Sequence, residues 1–245
     1  MSNAIKVISA GYTGIHQLGQ AWTPDTTQRY PLGTVIQVVD PYWGEQTLIY
    51  LKVAAAGTVG ALKKITNGWV ATATADEAGI GYPLCVAMNK HAAANEYGWF
   101  LVRGRFPVRC AASVAVGTQL AQNVDMAVTM AATKGIQGMV VSVASASNDG
   151  TMTDLSIENG STVMTFTGSK SAFDYGLFVG QKLTGTGLGT NTQVASISSD
   201  GIKVTTSVAS TATSTPTITK TLISTTDSLF WNICTFNNPI SAGVV

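Results

Sequence analysis

Few residues in this chain could do chemistry, and they are dispersed. It contains only two histidines, His16 and His91, and neither has a Ser or Cys partner nearby in the sequence. A catalytic triad needs a nucleophile, a histidine and an acid in contact, and zinc sites draw on several His and Cys ligands. A glycosidase needs two carboxyl groups held about 5–10 Å apart. The candidate carboxylates show no such pairing: Asp40, Glu45, Asp174 and Asp227. The sequence therefore predicts no enzyme, no catalytic residue and no metal site.

One glycine-rich run, Gly185-Thr186-Gly187-Leu188-Gly189, invites comparison with a nucleotide-binding loop. Such loops join a strand to a helix, whose N-terminus holds the phosphate, and a P-loop ends in Lys-Ser or Lys-Thr. The flanking sequence predicts no helix, and no Lys-Ser/Thr follows. We expect a β-turn here and no cofactor.

The three cysteines, Cys85, Cys110 and Cys234, each lie in an apolar, strand-like run. Because their number is odd and their spacing wide, buried reduced thiols are favoured over one disulfide plus a leftover thiol. Reduced thiols suit folding in a reducing cytoplasm. The first residues contain no long apolar stretch, so no secretion signal is expected.

One predicted strand, from Tyr97 to Cys110, carries three of the fourteen Lys and Arg residues. Strict alternation would place six of its side chains on one face: Tyr97, Trp99, Leu101, Arg103, Arg105 and Arg109. The opposite face, with Phe100 and Phe106, is predicted to be buried in the core. Arginines beside aromatic residues are typical of interface anchors, but a solvated sheet face would have the same pattern. Stacking of single-stranded nucleic acid is a third interpretation, and the net charge of +1 disfavours it.

The composition points to assembly. Charged residues make up 11% of the chain, against about 25% in ordinary soluble domains, and no apolar run is long enough to span a membrane. A surface with so little charge suits a protein covered by other copies or by a partner lattice. Neither nucleic acid nor a membrane is an expected partner.

Strand signals dominate the chain, so the predicted class is all-β. Residues 34–40 and 46–53 are β-branched runs around the turn Pro41-Tyr42-Trp43-Gly44, which predicts a hairpin. Residues 84–88 should pair with 97–110, where Gly104 marks a bend or bulge. Further strands are expected at 138–143 and 229–236.

Changes in composition divide the chain into three parts. Residues 1–32, punctuated by Gly and Pro, are predicted to be an extended N-terminal segment. It lies either along its own domain or over a neighbour, with Tyr12 and Trp22 as anchors. Residues 33–147 plus 227–245 are expected to form a β-barrel or sandwich core, the last strand closing its sheet. The Ser/Thr-rich residues 148–226 should form a small inserted β-sandwich.

Several short motifs resemble an element of small head proteins of tailed bacteriophages. In these proteins an apolar strand of the form G-V-A is followed by Y-G-W, a strand carrying a Gly, and an Ala/Val-rich stretch. The corresponding parts here are Cys85-Val86-Ala87, Tyr97-Gly98-Trp99, Gly104 and residues 111–120. The resemblance covers roughly residues 33–145 and 228–240. It extends to Gly33-Thr34 with Asp40-Pro41, to Tyr50-Leu51-Lys52, to the closing Asn238-Pro239 and, in the insert, to a module at 179–187.

The resemblance implies a capsid decoration, or cement, protein. Such a protein would sit on the outer surface of the capsid in the virion, most often as a homotrimer, and would bridge neighbouring capsomers of the major capsid protein. Its partners would be that protein and copies of itself. Three alternatives stay open: an outward-projecting protein that binds host glycans through Tyr175 and Phe178, a tail or baseplate component, and a depolymerase with a carboxylate pair in a cleft.

Overall fold

The protein is all-β, which confirms the predicted class. Its structure, a computed structural model, describes residues 6–10, 24–74, 81–111, 114–118, 120–123, 126–129, 136–143, 148–222 and 230–241. Within these ranges there is no helix. The strands are β1 (Lys6–Ala10), β2 (Val35–Asp40), β3 (Gly44–Val53), β4 (Leu62–Thr66), β5 (Val70–Ala73), β6 (Leu84–Ala87), β7 (Tyr97–Cys110), β8 (Leu120–Asn123), β9 (Met126–Thr129), β10 (Ile136–Val143), β11 (Asn148–Met152), β12 (Leu155–Ile157), β13 (Val163–Phe166), β14 (Lys182–Gly185), β15 (Val194–Ile197), β16 (Lys203–Thr206), β17 (Ile218–Thr221) and β18 (Phe230–Ser241).

An eleven-stranded sheet forms the main body, which we define as residues 24–143 and 230–241 with β1 at one edge. Nine of its strands run in the order β1-β2-β3-β5-β4-β6-β7-β18-β10, and the other two lie off this path, β9 pairing with β7 and β8 with β9. Because β3 also pairs with β7, the strands β3, β5, β4, β6 and β7 close into a ring. Closure leaves these five strands without a free edge between them.

Two apolar clusters lie on opposite sides of this ring. The smaller includes Leu51, Ala71, Cys85 and Phe100 and packs Ile65 at its margin. Since it draws on all five strands, it fills the inside of the ring, where side chains of alternate residues meet. The larger cluster packs the outer side of the ring against β2, β10 and β18.

A bulge in β7 reverses the phase of its side chains. Thr47 pairs with Arg103 but Leu48 with Leu101, so one extra residue is accommodated on β7. Gly104 adopts a φ of +118°, and a Cβ there would lie 2.7 Å from the backbone oxygen of Glu45. Only glycine fits such a close backbone approach at positive φ. The sequence-based expectation of a bend or bulge at this glycine is confirmed.

The other strands predicted for the main body are also present. β2 and β3 form the expected hairpin, β6 pairs with β7, and β18 lies between β7 and β10. All three cysteines are free and buried, as predicted. The short strands β1, β4, β5, β8 and β9 were not anticipated, since each has only four or five residues.

The inserted segment, residues 148–222 as described, folds around its own apolar cluster. It has a three-stranded sheet, β11-β17-β14, and a four-stranded sheet, β12-β13-β16-β15. Asn148 is the ladder partner of Thr221, so the two ends of the segment lie side by side. The cluster between the sheets includes Met164, Leu183 and Val204. The division of the chain at these boundaries stays a prediction.

A packed seam joins the inserted segment to the main body. Phe178 lies 4.9 Å, centroid to centroid, from the ring of Trp231, and Phe173 belongs to the large cluster of the main body. Lys220, almost fully buried, donates to the backbone oxygen of Tyr175 and lies 4.6 Å from the Tyr42 ring centroid. The two parts therefore share one continuous apolar contact.

Candidate functional site: a basic cleft at the seam

The predicted arginine face exists only in part. Before the bulge, Trp99 and Leu101 point into the large cluster, together with Phe106 beyond it. Trp99 is only 4% exposed, and Tyr97 stacks on Tyr50. The prediction that Tyr97, Trp99 and Leu101 share the arginine face is wrong, because the bulge breaks the strict alternation on which it rested.

The three arginines do share the opposite face, since they alternate along β7 after the bulge and pair in unbroken register with β18. Arg103 is exposed, and Arg105 and Arg109 are half-buried. Arg109 lies six positions after Arg103, which corresponds to about 20 Å along a strand. They therefore reach two different surface hollows rather than forming one cluster.

The hollow at Arg103 surrounds the bulge and has a volume of about 380 Å³. Its lining includes Gln37, Glu45 and Asn237, so the arginine faces a carboxylate-bearing wall. The Gln46 amide fixes this wall by donating to the Arg105 backbone oxygen at 2.8 Å. A hollow with one arginine and one glutamate has no net preference for an anion or a cation.

The N-terminal segment is held on its own main body where it is described. Asp25 and Tyr97 exchange two backbone hydrogen bonds of 2.8 Å. The hydroxyl of Tyr50 donates to the Asp25 carboxylate at 2.9 Å, and Tyr30 packs edge-on against Tyr50. These contacts hold residues 24–32 along their own domain, which is the first of the two alternatives, and an arm over a neighbouring subunit stays a prediction. Tyr12 and Trp22 lie outside the described residues.

A different cleft, at the seam, gathers the basic side chains. It consists of two hollows, of about 340 Å³ and 500 Å³, that share Thr58, Lys90 and Arg109 in their linings. We call their union the seam cleft. In the first hollow the inserted segment supplies one wall, with Val179, Gln193, Val194 and Ser207, and the main body supplies the other, with Val59 and Trp231. The second hollow is lined by the main body alone, and its lining also includes Gly57, Ala61, His91 and Ala92.

Arg109 is fixed in the cleft from two sides. Its guanidinium donates to the Thr58 hydroxyl at 2.5 Å and lies 5.9 Å from the Trp231 ring centroid. Its backbone N–H donates to Gly60, whose φ of +75° brings the chain against Trp231. An arginine held by such contacts loses little further conformational entropy on binding.

His91 forms the floor of the cleft. It is 2% exposed and stacks on Phe100 with a centroid distance of 5.5 Å. Neither ring nitrogen has a hydrogen-bond partner, and Nδ1 lies 3.6 Å from the Glu96 carboxylate. Burial lowers the pKa of His91 to about 4, against the opposing pull of Glu96. The imidazole is therefore neutral at neutral pH.

Two of the four candidate carboxylates, Asp40 and Asp174, are close enough at the seam for the charge of one to act on the other. Asp40 is buried and accepts hydrogen bonds of 2.8 Å from the backbone N–H groups of Tyr42 and Trp43. Burial raises its pKa to about 6, and the charge of Asp174 adds to the increase. Neither carboxylate lines the seam cleft or the hollow at Arg103. Their arrangement is a structural feature of the seam.

An exposed aromatic side chain, Trp69, was missed by the sequence reasoning. It follows the Asn67-Gly68 turn between β4 and β5, is 48% exposed and adopts a φ of +59°. Its ring lies over Gly33, and Val35, two residues further along, is also exposed. An aromatic at the tip of a two-strand turn is the signal that could have identified it, because a turn tip has no layer to cover it.

No side-chain cluster of three or more His, Cys, Asp or Glu residues suitable for a metal ion occurs in the part of the chain that the structure describes. In the same residues no helix is long and apolar enough to cross a membrane. Comparisons with protein-family models, with curated proteins and with solved structures found no match.

Proposed function

We propose that this chain is a structural subunit of a tailed-bacteriophage head, attached to the outer shell, where it bridges neighbouring capsomers. The observation that carries the proposal is the character of its surface. Charged residues are 11% of the chain, yet the exposed side chains include Trp69 and Val35. Trp is among the residues most enriched at interface centres.

The arrangement of the surfaces fits a clamp. Arg103, Arg109 and the Trp69 turn are carried on strands of one closed ring, so their spacing is rigid. Contacts of modest strength, presented together by a rigid body, act as one multivalent attachment. The self-association into a homotrimer, the major capsid protein as partner and the position on the virion surface all belong to this proposal.

The host-glycan alternative finds no comparable support. It rested on exposed aromatic residues of the inserted segment, but Phe178 is fully buried against Trp231. Tyr175 is half-buried, stacked on Phe166 and covered by Lys170. Sugar rings rest on open aromatic faces, and these two faces are occupied.

Reconstitution tests the proposal. Heads assembled without this protein are incubated with the purified chain, pelleted and quantified for bound copies. We expect saturable binding at a fixed copy number per capsid, and heads that withstand heating better than undecorated ones. A Trp69→Ser variant should bind more weakly, while Trp69→Phe should retain most binding. Absence of saturable binding by the wild-type chain would contradict the proposal.

A further inference from the structure

The seam cleft differs in charge from the hollow at Arg103, which Glu45 also lines. Two cations, Lys90 and Arg109, lie on its lining, and none of the residues that line it carries a carboxylate. The nearest described carboxylate is engaged: Glu96 accepts from the Ala92 backbone N–H at 2.8 Å and faces His91. A third cation, Lys63, is buried behind Gly57. The cleft is therefore positive and attracts an anionic group.

His91 closes the cleft at its floor without adding charge to it. Burial lowers the pKa of its imidazole to about 4, and both ring nitrogens are buried without a hydrogen-bond partner. The ring lines the same hollow as Lys90 and Arg109. The attraction for a ligand therefore comes from those two cations, and the His91 ring lies close enough to report on it.

The cleft is much larger than a simple ion, which would fill only a small part of it. Hollows of about 340 Å³ and 500 Å³ are in the range that accommodates ligands of several residues. Trp231 is only 4% exposed, being covered by Phe178 and Arg109. The described lining thus offers no open aromatic face on which a sugar ring or a nucleic-acid base could rest. These features favour a peptide over a glycan.

We propose that the seam cleft binds an acidic peptide segment, whose Asp or Glu carboxylates contact Lys90 and Arg109 above the floor that His91 forms. The identification of that segment with a loop of the capsid shell rests on the proposed function; the binding of an acidic peptide does not. The inserted segment then has a role in attachment, since it forms one wall of the first hollow.

The test uses the full chain labelled on histidine. His91 is one of only two histidines, so its ring resonances report directly on the floor of the cleft. The probes are N-acetyl-tetraglutamate amide, the matched tetraglutamine, inorganic phosphate, and tetragalacturonate as an acidic sugar. We expect tetraglutamate to shift the His91 signals in a saturable manner and tetraglutamine to leave them unchanged. Phosphate should compete only weakly.

Two charge reversals separate the cleft from general charge effects. Lys90→Glu should weaken tetraglutamate binding by about three- to tenfold or more, as expected for an exposed ion pair that becomes repulsive. Lys203→Glu changes the total charge equally at an exposed position that does not line the cleft, and it should bind as the wild type does. Equal affinity of both variants would overturn the proposal. A saturable response to tetragalacturonate with none to tetraglutamate would also overturn it, in favour of a glycan site.

Head binding distinguishes this inference from the proposed function. If the wild-type chain binds tetraglutamate at the cleft but never binds heads, the proposed function fails and the peptide site stands. If the wild-type chain binds heads and Lys90→Glu binds them equally well, the cleft does not hold the shell segment, and that part of the inference is wrong.

Discussion

Gly176 offers the sharpest test of the seam. It belongs to the inserted segment, adopts a φ of +62° and lies flat against the ring of Tyr42 in the main body. A Cβ at this position would be 2.5 Å from Cγ and 2.6 Å from Cε1 of that ring. Gly176→Ala should therefore weaken the contact between the inserted segment and the main body without altering any strand.

The magnitude follows from two contributions. A non-glycine residue in the left-handed region costs about 1–2 kcal/mol, and forcing an extra carbon into a packed contact costs about 1–3 kcal/mol. Gly160→Ala isolates the first contribution, because Gly160 has a φ of +78° and no atom within 4 Å of an added Cβ. Gly176→Ala should be the more destabilising of the two by about 1–3 kcal/mol.

Urea unfolding followed by tryptophan fluorescence measures both variants, since Trp43 and Trp231 belong to the cluster that spans the seam. A double-mutant cycle with Tyr42→Ala tests the contact, because this substitution removes the ring that the new Cβ would strike. In the Tyr42→Ala background, Gly176→Ala should destabilise the protein no more than Gly160→Ala does. If the two glycine substitutions cost the same in the wild-type background, Gly176 does not pack on Tyr42 and the seam is not as described.

Three further outcomes are expected. Burial raises the pKa of Asp40 from 3.8 to about 6 in the folded state, so the wild-type protein loses stability as the pH rises through this interval. The free energy of unfolding of Asp40→Asn, measured by chemical unfolding, should therefore gain about 2–3 kcal/mol relative to that of the wild type between pH 4 and pH 8. Asp200→Asn, at an exposed carboxyl whose pKa is lowered by the Ser198 hydroxyl, should show the opposite trend. The buried cysteines, whose thiol pKa values are raised by desolvation, should not react with a thiol reagent until urea unfolds the chain, and rapid native labelling would contradict their burial. Replacing residues 148–226 by a short Gly/Ser linker should leave a folded main body with a lower melting temperature, because Trp231 loses Phe178; a melt unchanged from the full chain would show that the seam contributes no stability.

Local patterns predicted the longer elements because each carries its own signal. The hairpin of β2 and β3 follows from two β-branched runs around a Pro-containing turn, and β18 from an aromatic-rich run. The bulge at Gly104 was also foreseeable, since a glycine inside an apolar strand marks a close backbone approach. What the pattern did not show was the consequence of that bulge, namely the phase reversal that places Trp99 on the same face as Phe106 and the arginines on the opposite one.

The candidate site was the harder part, because it depends on contacts between distant residues. Arg109 was singled out as an interface residue, but its cleft needs Lys90 from the loop after β6 and Gln193 from the inserted segment. His91 was dismissed for lack of a neighbour in sequence, and its surroundings, Gly57 and Phe100, come from elsewhere in the chain. Sequence periodicity contains no information on how two parts of a chain dock.

The proposed attachment to the head of a tailed phage is tested most directly by electron cryomicroscopy of assembled particles. The account predicts density for the all-β body on the outer surface of the head, with the Trp69 turn and the seam cleft facing neighbouring subunits and an acidic segment of the shell between Lys90 and Arg109. Density for this chain in the tail or baseplate, or on the head with both surfaces pointing to solvent, would contradict it.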